Sequence, residues 1–286
     1  MRTIAHIINP FIAKKSSDLH LAQQVTIHSM EVAQKTAVGS LSIDLMTAQF
    51  SEDKSMVPSG WIGTQDLTRS IKDKGNFERD MKLPFLTDIL ERMFNETKAE
   101  YLIFTNVDIG VQPEFYLKVN EMIDEGRDAF IINRRRIPEN FSSVDEMESI
   151  YAEKGKKHPG FDCFIFHRDL FQKFSLADVC TGVPFIGITL AQNVFCFGNN
   201  PKVYRDEFLT FHIGMEIFKK RASRDYFKYN RREFWTAMDK IWNDLDSKKW
   251  PQGSWILPLR LLWWGKNPSL PIRLGLMLEY RRWIKR

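Results

Sequence analysis

"AEYLIFTNVDIGV", residues 99–111, sets an apolar run from Tyr101 to Phe104 against the polar end Thr105-Asn106-Val107-Asp108. A short apolar run bounded by polar residues, with Pro113 closing the segment, reads as a buried strand. Side chains two apart on an extended strand point to one side. Asn106 and Asp108 are therefore expected to reach a common ligand from the end of this strand. An N-x-D at a strand end also serves for turn hydrogen bonds, and the motif alone leaves both uses open.

Working outward, "TIAHIINPF" (3–11) is a first strand and "SDLHLAQQVTIHSMEVAQKTA" (17–37) a helix by its three-and-four apolar spacing. Ser16, Ser17 or Asp18 is available as its N-cap. "VGSLSIDLMTAQF" (38–50) is a second strand, and residues 51–82 form a long polar loop with a short helix near 65–73. A loop of that length in a compact domain is usually a lid or binding loop. The segment 83–98 is a helix, 99–111 a strand, 113–127 a helix and 128–136, "DAFIINRRR", another strand. This alternation predicts an α/β protein with a largely parallel sheet flanked by helices.

The pattern then changes. Residues 137–161 are a polar loop or helix ending in "KKHPGF", followed by a short strand, "DCFIF", and a short helix, "HRDLFQKF". "GVPFIGITLAQNVFCFG" (182–198) is apolar throughout, so periodicity leaves helix and strand open. "KVYRDEFLTFHIG" (202–214) carries a last strand, and 218–245 reads as helix.

The 286 residues suffice for one large domain or two modest ones. No signal-peptide pattern stands at the start and no apolar stretch approaches the ~20 residues of a membrane span. Cys163, Cys180 and Cys196 are odd in number and lack zinc-ligand spacing. They read as reduced core thiols, and a cytoplasmic location is expected. Charge is uneven. From Lys248 onward nine Lys/Arg meet one acid, Glu279, for a net +8, so the preceding 247 residues carry −3 of the overall +5. Seven of the eight Trp fall after residue 234. The expected organisation is a body, 1–235, and a basic Trp-rich C-terminal extension, 236–286.

Open α/β sheets bind ligands beyond the carboxyl ends of their strands, and a hard cation there takes carboxylates plus substrate phosphates. On three stretches the chain resembles the GT-A class of glycosyltransferases, of the family 2 kind. "TNVD" stands where that class has its D-x-D motif. "HPGFDCFIF" is similar to its acceptor-side loop and antiparallel strand, and "TFHIG" to the late strand where some members supply a metal-binding His. The resemblance spans roughly residues 1–235. It implies a Rossmann-type sheet, a nucleotide-diphospho-sugar donor and Mn²⁺ or Mg²⁺. The chain departs from the pattern at Asn106, where the class has a carboxylate, and it lacks a clear second-strand Asp.

On that resemblance Asp108 and His212 are metal ligands, with Asn106 as a further donor contact. A lone His after apolar residues is otherwise a core histidine. Asp162 follows the His158-Pro159-Gly160 turn. It is the expected general base on an acceptor hydroxyl, an acceptor hydrogen-bonding group, or simply a turn cap. His158 counts among the substrate contacts. Arg134, Arg135 and Arg136 end a strand at the same edge and suit bidentate phosphate contacts. Strand alternation sends Arg134 and Arg136 one way and Arg135 the other, and a solvated strand exit accounts for at least one of them. Arg69, Lys72 and Lys82 in the long loop are weaker phosphate candidates. For the extension, Trp and basic residues favour an anionic membrane surface, which would bring a lipid-linked or envelope acceptor to the cleft. Packing on the body or a homodimer contact is the competing expectation. An acidic body without a recognised motif argues against nucleic acid. The rival functions are a non-catalytic binding module on the same fold, favoured by the missing carboxylate, and a nucleotidyltransferase. The latter needs a Gly-rich loop after the first strand, and "INPFIAKKSSD" has none.

Overall fold

Apolar runs too short for helices form the centre of the molecule. The computed structural model describes residues 1–215, 223–267 and 270–284. Its strands are β1 (Arg2–Ile8), β2 (Leu41–Thr47), β3 (Ile62–Gly63), β4 (Tyr101–Thr105), β5 (Gly110–Val111) and β6 (Ala129–Ile132), then β7 (Arg135–Ile137), β8 (Lys156–Lys157), β9 (Cys163–His167), β10 (Lys202–Tyr204) and β11 (Thr210–Ile213). Seven of them make one sheet in the order β10-β6-β9-β4-β1-β2-β3, and β5-β11-β7-β8 make a second. In the large sheet only β9 runs against its neighbours. The expected mostly parallel sheet is what forms.

Helices cover both faces, because alternate strand residues point to opposite sides. On one face Ile4, Ile8, Ile103, Phe130 and Ile165 pack under α1 (Asp18–Thr36) and α3 (Phe115–Asp124). On the other, Ala5, Ile7, Leu102, Phe104, Ile131 and Phe164 pack under α2 (Leu86–Glu96) and, later in the chain, α6 (Ile186–Phe197) and α7 (Arg224–Lys240). Two short helices, α4 (Met147–Ala152) and α5 (Arg168–Phe171), lie between. Ser17 is the N-cap of α1, its hydroxyl accepting from the Leu19 N–H at 3.3 Å. Within the apolar run 182–198, Ile186–Phe197 is helical, and burial on nearly all sides is why it showed no stripe.

The C-terminal extension joins the second of these cores. Trp250, Trp264, Leu274 and Leu278 lie in the same apolar cluster as Phe104 and Phe234, and Trp264 is 0% exposed. They come from α8 (Leu257–Lys266), α9 (Ile272–Ile284) and the turn before them. The expected division at 235/236 falls inside α7.

Four local expectations change. The helix near 65–73 is instead a 3₁₀ turn at Ile71–Lys74, where Ser70 and Asp73 cap each other's backbone amides. The strand 128–136 breaks at Asn133-Arg134 and continues in the other sheet as β7. The segment 202–214 holds two strands, one in each sheet. Asn106 to Ile109 is a turn, with the Ile109 N–H donating to the Asn106 carbonyl at 3.1 Å, so the N-x-D is not extended. The helical reading of 218–245 begins in residues outside those described and holds from Arg224. Among the described residues no helix is long and apolar enough to cross a membrane. The three cysteines are buried and unpaired, and burial pushes the Cys180 and Cys196 thiols up to about 12.

Candidate functional site

The antiparallel β9 creates the site. Its first residue, Cys163, lies opposite the last residues of both neighbours, Thr105 of β4 and Ile132 of β6. Asp162 therefore enters between the segments that follow those strands, Asn106-Val107-Asp108 and Asn133-Arg134. Three stretches far apart in sequence meet at one sheet edge.

Arg134 donates to Asp162 Oδ1 at 2.6 Å, with the side chains 12% and 7% exposed. His158 Nε2 lies 3.9 Å from Asp162 Oδ2. The turn carrying His158 is anchored from both sides. Its N–H donates to the Arg134 carbonyl at 3.2 Å, and Asn133 Nδ2 donates to its carbonyl at 3.1 Å. Gly160 is what lets the imidazole fold back, since a Cβ there would collide with His158 Nε2.

The second sheet delivers the other half. Gly110 of β5 pairs antiparallel with Phe211 of β11, which carries the next residue, His212, back to the Asn106–Ile109 turn. His212 Nε2 and Asp108 Oδ2 are 3.3 Å apart. A Cβ on Gly110 would penetrate the Phe211 ring, so the crossing from the first sheet to the second needs glycine here. Parallel pairing of β11 with β7 sets His212 beside Arg136. Arg136 donates to the Met215 and Lys157 carbonyls, and Arg135 stacks its guanidinium 5.4 Å from the Phe208 ring.

The two halves adjoin, since His212 pairs with Arg136, two residues after Arg134. Burial pushes the His158 imidazole down to about 4 against the pull of Asp162, with Arg134, Arg136 and His212 adding to the effect. His158 is therefore neutral at pH 7. Five buried polar atoms here lack a hydrogen-bond partner among the described residues: Asn133 Oδ1, Arg134 Nε, His158 Nδ1, Asp162 Oδ2 and His212 Nδ1. Buried polar groups without partners are uncommon in folded chains, and so many at one sheet edge suit a polar ligand. Asp108 and His212 supply two donors of the kind a divalent cation accepts. No group of three or more His, Cys, Asp or Glu with metal-holding geometry occurs among the described residues. That set fits a cation whose remaining positions are filled by a phosphate-bearing substrate and water.

The loop candidates are engaged in other ion pairs. Arg69 is held by Asp88 and by Asp178, the latter at 3.3 Å, and stacks on Phe85. Lys72 pairs with Asp80, and Lys82 with Glu52. None of these ion pairs reaches the cluster. Two neighbours of the site carried no signal singled out above. Asn133 closes its strand run much as Asn106 does. Glu139 stands beside His212: a Cβ on Gly214 would meet Glu139 Oε1 at 2.7 Å and His212 Cε1 at 3.1 Å.

A parallel sheet with one reversed strand, and a small second sheet holding the carboxyl-end loops, defines a GT-A-like fold. One solved structure agrees at that level. S. aureus TarS 1–349 in complex with UDP-GlcNAc superposes with a TM-score of 0.50 at 10% identity, covering 93% of this chain and 79% of that one. Another TarS 1–349 structure gives 0.48 at 10% identity, with 85% of this chain and 65% of that chain covered, just under two thirds of its length. The 4-diphosphocytidyl-2C-methyl-D-erythritol synthase of Anaerococcus prevotii gives 0.42 at 11% identity, covering 81% and 98%. At such identities the likeness is one of fold. No family model and no curated protein matches the chain.

Proposed function

We propose that this chain is a glycosyltransferase that moves a sugar from a nucleotide-diphospho-sugar to an acceptor hydroxyl. The observation that carries the reading is the joining of two buried pairs, Arg134–Asp162 and Asp108–His212, at the carboxyl edge of the sheet. The fold shared with a UDP-GlcNAc-bound structure supports it. Asp108 and His212 would hold Mn²⁺ or Mg²⁺, and a bound cation stabilises the negative charge of the departing nucleoside diphosphate. Asn106 offers an amide oxygen in place of the first carboxylate of D-x-D, which leaves one less negative charge facing the diphosphate. Arg134 occupies Asp162 Oδ1 and thereby directs Oδ2 toward the acceptor, where it takes the hydroxyl proton. Neutral His158 offers Nδ1 as a hydrogen-bonding atom in the same space.

The test is calorimetry with UDP-GlcNAc and other nucleotide-sugars, with and without Mn²⁺. Wild-type protein should bind one donor in a metal-dependent manner, and a saturating ligand at a hundred times its Kd should add about 2.7 kcal/mol of stability. Asp108→Ala should abolish the metal-dependent part, and His212→Ala should weaken it. Unchanged affinity in Asp108→Ala removes this site. Donor binding without any turnover across a panel of acceptors would leave a binding module on the same fold.

A further inference from the structure

The C-terminal helices have two chemistries. Their inner sides, Arg260 and Trp264 on α8 and Leu274 and Leu278 on α9, are buried. Their outer sides are apolar as well. Leu259 and Leu262 of α8, Leu276, Tyr280 and Trp283 at i, i+4 and i+7 of α9, and Trp255 just before α8 are all exposed, Trp283 by 74%. Of fifteen large hydrophobics exposed among the described residues, ten lie between 255 and 284. Scattered exposed apolar residues are ordinary, but a concentration of this kind marks a contact surface.

We propose that the outward faces of α8 and α9 dock on an anionic lipid bilayer. This inference does not depend on the glycosyltransferase reading. Charge selects the occupant. Lys266 and Arg273 are exposed on the same two helices. The one acid of the region, Glu279, is mostly buried and engaged by Arg260 at 2.9 Å and Arg282 at 3.2 Å. A second copy would bring the same cations and no carboxylate to meet them, whereas an anionic bilayer complements them. Trp and Tyr at the rim suit the headgroup level of a membrane. Helices of ten and thirteen residues lie in that plane rather than cross it.

The structure also revises how the attraction works. Four of the nine basic residues from Lys248 onward face inward: Lys249 on the Cys196 and Gly198 carbonyls, Arg260 on Glu279, Arg281 on the Trp242 and Leu245 carbonyls, and Arg282 on Asp246 and Glu279. Apolar insertion therefore carries more of the binding than net charge suggests, and salt weakens it without abolishing it.

The experiment is co-sedimentation of the full chain with phosphatidylglycerol–phosphatidylcholine vesicles and with pure phosphatidylcholine vesicles. At about 0.1 M salt, where the Debye length is about 10 Å, the protein should pellet with the anionic vesicles and much less with the neutral ones. Leu259→Gln/Leu262→Gln/Trp283→Ser should cut the bound fraction at least about ten-fold, from lost apolar burial. Its melting temperature should stay close to wild type, because all three residues are more than half exposed. Protein that stays in the supernatant with anionic vesicles overturns the proposal, and so does a triple variant that binds like wild type. A wild-type dimer in light scattering that the triple variant dissolves, and that vesicles do not compete away, would assign the face to a second copy and also overturn it.

Discussion

Asp162 has two oxygens with different neighbours, and that difference sets what a substitution should do. Oδ1 is held by Arg134, while Oδ2 has no hydrogen-bond partner among the described residues. In Asp162→Asn the amide keeps the shape but cannot take a proton. Turnover should fall by about 10²–10⁴, the usual worth of general base catalysis, while donor affinity measured by calorimetry stays put. Turnover within a few-fold of wild type would rule out the base. His6 gives a prediction of another kind. Its ring nitrogens lie 2.9 Å from the Tyr116 and Thr105 hydroxyls, and burial pushes it from 6.5 to about 3. The folded chain keeps it neutral where the unfolded chain protonates it. Its contribution is thus complete above pH 6.5 and is lost as pH falls toward 3. From pH 7 to pH 4.5 that loss is about 2–3 kcal/mol. In urea unfolding, the stability of wild type relative to His6→Gln should shrink by that amount over the same interval, and a pH-independent difference would contradict it.

At the scale of elements, the crossing from β4 to β5 is the joint on which Asp108 depends. Gly110→Ala drives a methyl into Phe211 and should cost about 1–3 kcal/mol, the range for overpacking, read from the urea midpoint. β1, β2, β4 and α1 to α3 were legible from their apolar patterning, short continuous runs for strands buried on both faces and three-and-four spacing for the helices. The Asn106–Ile109 turn was not, since a strand end and a turn share the residues Asn and Asp. Nor was the break in 128–136: nothing within "IINRRR" marks that Arg135 pairs with Phe211, far along the chain. The meeting of Asp108 with His212 depends on the β5–β11 register, which is a through-space fact. Only the family resemblance had set those two residues together. Arg69 looked available for phosphate because its partners Asp88 and Asp178 stand 19 and 109 residues away.

At the scale of the whole molecule, the C-terminal extension packs into the core of the body, one of the two uses its sequence left open. Trp264 packs against Trp250 at 4.9 Å between ring centroids, and its indole N–H donates to the Pro251 carbonyl at 3.1 Å. Trp264→Ala should lower stability by about 3–5 kcal/mol, and a loss under 1 kcal/mol would show that the extension is separable. The small second sheet has a consequence in time. Its strands are two to four residues long, and the β5–β11 pair closes a chain segment of about one hundred residues, a connection whose closure entropy is repaid only late in folding. The large sheet must stand before that pair can form. Weakening the pair should therefore quicken escape from the native state and leave the approach to it untouched. In a chevron plot of Gly110→Ala, the unfolding arm should rise while the folding arm overlays wild type, so the chemistry would be the last part of the chain to assemble and the first to come apart.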